Sequence, residues 1–140
     1  PHAFPFPDPV AMDLNTMSIA KEQPHIHQLS YLGIEAQRQG KGIEFAAQVS
    51  RLIWGGTNNW HQGEHLKDAA QSTGLDLAQM RSAIGNGSEH LHTIETNQTQ
   101  LTKVGHWGVP TMVLNNEPFF GQDRIDSLRW QLDKIKTAKR

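Results

Sequence analysis

Residues 105–132 read GHWGVPTMVLNNEPFFGQDRIDSLRWQL. Thr111 to Leu114 is a short β-type run. Asn115-Asn116 supplies two residues that tolerate positive φ, which a two-residue hairpin turn requires. Glu117 to Phe120 is a second strand, closed by Gly121, and a helix is predicted from near Gln122. Its apolar stripe is Ile125, Leu128, Leu132 and Ile135. Lys134, Lys136, Lys139 and Arg140 gather at its C-terminal end, where the helix dipole favours positive charge.

The order proline, strand, hairpin, strand, helix resembles the second half of a thioredoxin fold, in which the proline before the first of these strands is cis. Only about 5–6% of X–Pro bonds in folded proteins are cis. By that resemblance the backbone N–H and C=O of Val109, ahead of Pro110, face outward and pair with an extended peptide in the manner of an added strand. The peptide implied is glutathione, held through its cysteinyl unit.

Gly121-Gln122-Asp123-Arg124 supplies a second element. A helix N-terminus offers free N–H groups and partial positive charge, which suit a carboxylate. Asp123 can accept from an ammonium. Together they suit an α-amino-acid head group, the γ-glutamyl end of glutathione. Simple helix capping by Gln122 and Asp123 is the competing explanation.

The segment 105–132 is similar to the C-terminal part of the 2-hydroxychromene-2-carboxylate isomerase family. Relatives of that family are the kappa-class glutathione transferases and, further off, the DsbA-like oxidoreductases. In the family an all-helical domain is inserted before the cis-proline strand. LIWGGTNNWHQGEHLKDAAQSTGLDL, residues 52–77, resembles the matching part of the insert. The fold class expected is therefore α/β and mostly helical: a β-hairpin plus helix from a thioredoxin-like fold, carrying an all-α insert. The resemblance implies that Val109 and Pro110 hold the cysteinyl unit and that Gln122 and Asp123 hold the γ-glutamyl unit.

Three parts are expected: an extended arm or linker at 1–16, an all-helical insert at 17–104 and the thioredoxin-type half at 105–140. The arm carries four prolines in its first nine residues, which rules out a regular helix there. Phe4 and Phe6 would need somewhere to pack. Pro24 begins a helix with Ile26, Leu29, Gly33 and Ala36 on one face, stopped by Gly40. A second stripe runs through Gly42, Ala46, Val49 and Ile53, widened by Ile43, Leu52 and Trp54. Glu64 to Gln71 is a short helix. Asp76 is a predicted N-cap for another, through Ile84. Leu91, Ile94, Leu101 and Val104 mark a last helix from Ser88.

Composition sets limits on function. The chain has 140 residues, a net charge of -1 and no cysteine. One domain is the usual content of about 100–200 residues. The charge balance provides no footprint for nucleic acid or an anionic membrane. No cysteine means no disulfide, no thiolate metal site and no cysteine nucleophile within these residues. No apolar run approaches the roughly 18 residues of a membrane span. No signal-peptide pattern is present, so a cytoplasmic location is expected.

The family begins with a β-α-β unit bearing the serine that meets the glutathione sulfur, and such a unit takes roughly 30 residues or more. No match to it precedes Gly105, and Ser18 stands in the wrong context. The catalytic residue is therefore expected in an N-terminal segment missing from this chain. A truncated chain, inactive alone, is one expectation; a homodimer completing the sheet by strand exchange is the other.

Other constellations carry less. His61-Gln62-Gly63-Glu64-His65 matches H-x-x-E-H, but Gly63 puts His61 outside the helix that would need both histidines, so no metal site is expected. His25-x-His27 and His90-x-His92 point to different helix faces and read as surface residues. Trp54 and Trp60 flank Gly55-Gly56 and either line a cleft for a flat aromatic substrate or pack in the core. Trp107 reads as packing beneath the loop that it precedes.

The function expected is a glutathione-dependent isomerase or transferase of a small aromatic compound. In the isomerases resembled here, the glutathione thiolate adds to a conjugated system, a bond rotates and the thiolate leaves. A DsbA-like thiol–disulfide oxidoreductase and a non-catalytic helical binding module are the alternatives.

Overall fold

The computed structural model describes residues 12–13, 18–19 and 24–138. The arm expected over 1–16 lies outside the described residues except for Met12 and Asp13. These pair antiparallel with Ser18 and Ile19, so β1 is Met12–Asp13 and β2 is Ser18–Ile19. That two-residue ladder falls where no early strand was expected. Neither strand carries the alternating apolar pattern that would reveal it in sequence.

Helices follow: α1 (Ile26–Arg38), α2 (Gly42–Trp54), α3 (His65–Gln71), α4 (Leu77–Ile84) and α5 (Ser88–Lys103). The chain divides into two compact units, Pro1–Leu91 and His92–Arg140, so the division falls inside α5. In the first unit α1 packs on α2 and α4, and α3 packs on α2 and α4. Leu32 and Ala36 from α1, Phe45 and Val49 from α2, Leu66 and Ala70 from α3, and Leu75, Leu77 and Met80 form its core.

The predicted cap of α4 is present. The Asp76 carboxylate accepts from Ala78 N–H at 2.8 Å and Gln79 N–H at 3.0 Å, satisfying two donors that a helix start leaves open. The core face of α2 differs from the predicted one. Phe45 is 2% exposed while Ile43, expected to widen the stripe, is 83% exposed. Two residues of helix separate them by about 200°, so burying the larger ring turns Ile43 to solvent. The face that packs runs through Phe45, Val49 and Ile53.

The buried face of α1 also carries a charge. Glu35 is 5% exposed and its Oε1 meets Arg38 Nη1 at 2.8 Å and His90 Nε2 at 2.5 Å. His90, at 1% exposure, is thus a core residue, and the surface placement expected for it is corrected. A buried carboxylate needs partners to offset its lost hydration, and these two supply them.

In the second unit, β3 (Thr111–Leu114) pairs antiparallel with β4 (Glu117–Phe120), Thr111 opposite Phe120 and Leu114 opposite Glu117. Asn115 and Asn116 have φ of 51° and 68°, the two positive values the hairpin turn needs. A 3₁₀ turn at Gln122–Arg124 leads into α6 (Ile125–Ala138). No residue of α6 is buried; Ile125 and Leu132 of its stripe are exposed, and Leu128 and Ile135 are half-buried.

Candidate functional site

The site is built in the second unit from the loop after α5, from β4 and from the start of α6. The loop is tied down locally. His106 N–H donates to Leu101 C=O at 3.2 Å, closing α5. The Nδ1 atom of His106 accepts from Trp107 N–H at 3.1 Å and from Gly108 N–H at 3.0 Å. Thr111 Oγ1 donates to Gly108 C=O at 2.6 Å. The His106 ring stacks on Phe120, with centroids 4.2 Å apart. Gly108 is buried under Phe120, and a Cβ there would run into the ring, which is why no larger residue serves.

The Val109–Pro110 bond is cis, as the sequence resemblance implied. Val109 is 80% exposed. Pro110 C=O accepts from Gly121 N–H at 2.9 Å. That one bond joins the two elements singled out in the sequence: Val109 stands immediately before Pro110, and Gln122 and Asp123 stand immediately after Gly121.

Gly121 has φ +91°, a conformation that a side chain would strain, and a Cβ would also meet Asp123 Oδ1. The first bond of the turn is Arg124 N–H to Gly121 C=O, at 3.2 Å. The N–H groups of Gln122 and Asp123 therefore lie ahead of it, where a helix start has donors to offer. Gln122 and Asp123 are exposed. The charged partner of Asp123 among the described residues is Arg124, whose Nε lies 3.7 Å from Oδ2. Such an exposed pair contributes little, and the carboxylate is accessible to an incoming ammonium.

Beside this arrangement is a cavity of about 680 Å³. Phe120 and Trp130 wall it, and His106, Arg124, Glu117 and Gln131 line it with polar groups. Gln131 Nε2 donates to Glu117 Oε2 at 3.1 Å across it. Trp107 is 88% exposed, so the expectation that it packs beneath the loop is corrected; the ring that meets the loop at Gly108 is Phe120.

The chain matches the DsbA-like thioredoxin domain model over residues 13–133. It belongs to that family. The fold class is accordingly thioredoxin-like, mostly helical α/β, with the β3–β4 hairpin and the two-residue β1–β2 ladder as its described β parts. No curated protein and no solved structure matches the chain. The family includes enzymes of more than one kind, isomerases and oxidoreductases among them.

The other sequence candidates of this DsbA-like domain lie in its first unit. Trp54 ends α2 and is 54% exposed. Trp60 is 5% exposed, its ring 5.2 Å edge-on from His25 and 5.7 Å from His61. Its Nε1 has no hydrogen-bond partner among the described residues. His25 is half-buried; burial, then the neighbouring His61, holds its imidazole below the ordinary value of 6.5. α3 begins at His65 with Glu64 as its N-cap, so His61 lies outside the helix, as Gly63 implied. Among the described residues no group of three or more His, Asp or Glu side chains is arranged to hold a metal ion. No helix among the described residues is long and apolar enough to cross a membrane.

Sequence reasoning missed two features. The Glu35–His90 bond joins residues far apart in the chain; its one sequence signal is a glutamate lying on the face between Leu32 and Ala36. The role of His106 had no signal of its own, because a histidine between a helix end and a strand has many uses.

Proposed function

We propose that this DsbA-like domain binds glutathione at the Val109–Pro110 turn and the Gly121–Asp123 start of α6, as part of an isomerase or transferase acting on small aromatic compounds. The observation that carries the reading is the Gly121 N–H bond to Pro110 C=O at 2.9 Å, which joins the exposed Val109–Pro110 bend to an exposed helix start. A cysteinyl unit pairs with Val109, whose exposure leaves its edge open to an added strand. The γ-glutamyl carboxylate meets the N–H groups of Gln122 and Asp123, and its ammonium meets the Asp123 carboxylate.

Glutathione supplies, when bound, a thiolate able to add to a conjugated substrate and leave again. The residues here orient the peptide and hold its charges. The cavity walled by Phe120 and Trp130 has the size and flat walls suited to a small aromatic molecule beside it. Thiol–disulfide exchange within these residues is disfavoured because they include no cysteine.

The test is calorimetric titration with glutathione. Saturable binding is expected, and Asp123→Ala weakens it about fivefold to tenfold, the effect of losing one charge-assisted bond in an exposed setting. Equal affinity in the variant would remove Asp123 from the site. Absence of binding by the unaltered chain would overturn the reading.

A further inference from the structure

We infer that His106 is the positioning residue of this cradle: its imidazole fixes the loop that presents Val109 and links that loop to the β4 end from which Gln122 and Asp123 follow. The inference rests in part on the glutathione reading above, because the function served is to hold two binding elements in register.

The loop between α5 and β3 is short and irregular, and its backbone donors need acceptors. Two of them, Trp107 N–H and Gly108 N–H, converge on His106 Nδ1 at 3.1 and 3.0 Å. An atom accepting from two N–H groups carries no proton of its own, so the neutral ring bears its proton on Nε2. The same ring stacks on Phe120 at 4.2 Å. Phe120 is the residue before Gly121, whose N–H holds Pro110 C=O. A single side chain therefore grips the loop by a nitrogen and β4 by its face.

Val109 cannot fix its own position. At 80% exposure its side chain has little to pack against, and the ring of Trp107, 88% exposed, rests on His106 itself with centroids 6.2 Å apart. The order of this segment comes from Gly108, which lies against the Phe120 ring of β4, from Thr111 and from His106; among these His106 is the loop side chain that both accepts from the loop backbone and stacks on β4. Glu117 and Arg124 line the same cavity as its ring but neither bonds to Nδ1.

Two substitutions separate the two grips. His106→Asn puts an amide oxygen in the place of Nδ1, able to accept the same two N–H bonds, as asparagine side chains do in Asx turns. His106→Phe retains a ring to stack on Phe120 and has no acceptor. A residue that merely fills space is served better by phenylalanine; a residue that positions the loop is served better by asparagine.

The experiment compares the 140-residue chain with His106→Asn and His106→Phe by amide hydrogen exchange at Trp107 and Gly108, by glutathione titration and by denaturant midpoint. For His106→Phe, exchange at both amides about tenfold faster and glutathione affinity about tenfold lower are expected, with the folding equilibrium constant lowered by no more than the same factor of about ten. For His106→Asn, exchange and affinity within about threefold of the unaltered chain are expected. Wild-type exchange in His106→Phe, or loss in His106→Asn as large as in His106→Phe, overturns the inference. If the unaltered chain binds no glutathione, the reading of the previous subsection falls, and the exchange rates by themselves decide the role of His106.

Discussion

His90→Ala should destabilise the first unit by about 3 kcal/mol, and the structure shows where that figure comes from. The side chain is 1% exposed and its Nε2 lies 2.5 Å from Glu35 Oε1. A hydrogen bond to a charged, buried partner contributes about 1.5–3 kcal/mol. Removing the ring also leaves a cavity, which in a close-packed interior costs about 1–2 kcal/mol more after partial collapse. Arg38 Nη1 still holds the same carboxylate oxygen at 2.8 Å, so Glu35 is not orphaned and the sum stays near its lower end. By contrast Lys41 and Glu44, an exposed pair at 3.5 Å, should contribute less than about 1 kcal/mol. Denaturant unfolding followed by circular dichroism, on the single variants and on His90→Ala with Glu35→Gln, gives the coupling between the two groups. A coupling of about 1.5–3 kcal/mol is expected. A loss below about 1 kcal/mol in His90→Ala, or a coupling near zero, would show that His90 is filler and that the bond carries no net stability.

Two further outcomes concern the first unit. Phe45→Ala should cost about 3–5 kcal/mol while Ile43→Ala changes stability by less than about 0.5 kcal/mol, since of the two Phe45 is buried; a larger loss at Ile43 than at Phe45 would mean that α2 packs on its other face. His25 titrates lower in the folded chain than the ordinary 6.5, so the unfolded chain takes up its proton first as pH falls. Its share of stability is complete above about pH 6.5 and is lost as pH drops through that value toward the folded one. His25→Gln should flatten that part of the midpoint-versus-pH curve between about pH 7.5 and 5.5. His25 makes no side-chain cap bond at the start of α1, so the substitution removes none. An unaltered curve would show that His25 is as solvated when folded as when unfolded.

Local chemistry made much of this fold legible in advance. The Asn115-Asn116 turn, the Asp76 cap and the short helix from Glu64 follow from backbone and capping preferences within a few residues, and each appears in the structure. Competition between side chains is harder to read. Gly42, Ile43 and Ala46 fit a helical stripe, but Phe45 has more area to bury and decides which way α2 turns. His90 reads as a surface residue because its partner Glu35 lies on another helix, and spacing along α5 holds no sign of it. Trp107 reads as buried by its size, yet it is 88% exposed, and the ring that meets the loop at Gly108 is Phe120. For the candidate site, the residue types at Val109, Pro110, Gln122 and Asp123 were visible in the sequence. The bond from Gly121 N–H to Pro110 C=O, which makes neighbours of them, was not.

The central claim is that this DsbA-like domain holds glutathione on those two elements. Titrating the isotopically labelled chain with glutathione while recording backbone amide shifts tests it most directly. Saturable shifts confined to residues 106–111 and 121–125, with the helices of the first unit unmoved, are the result the account requires. No shift at millimolar glutathione, or shifts centred elsewhere in the chain, would contradict it.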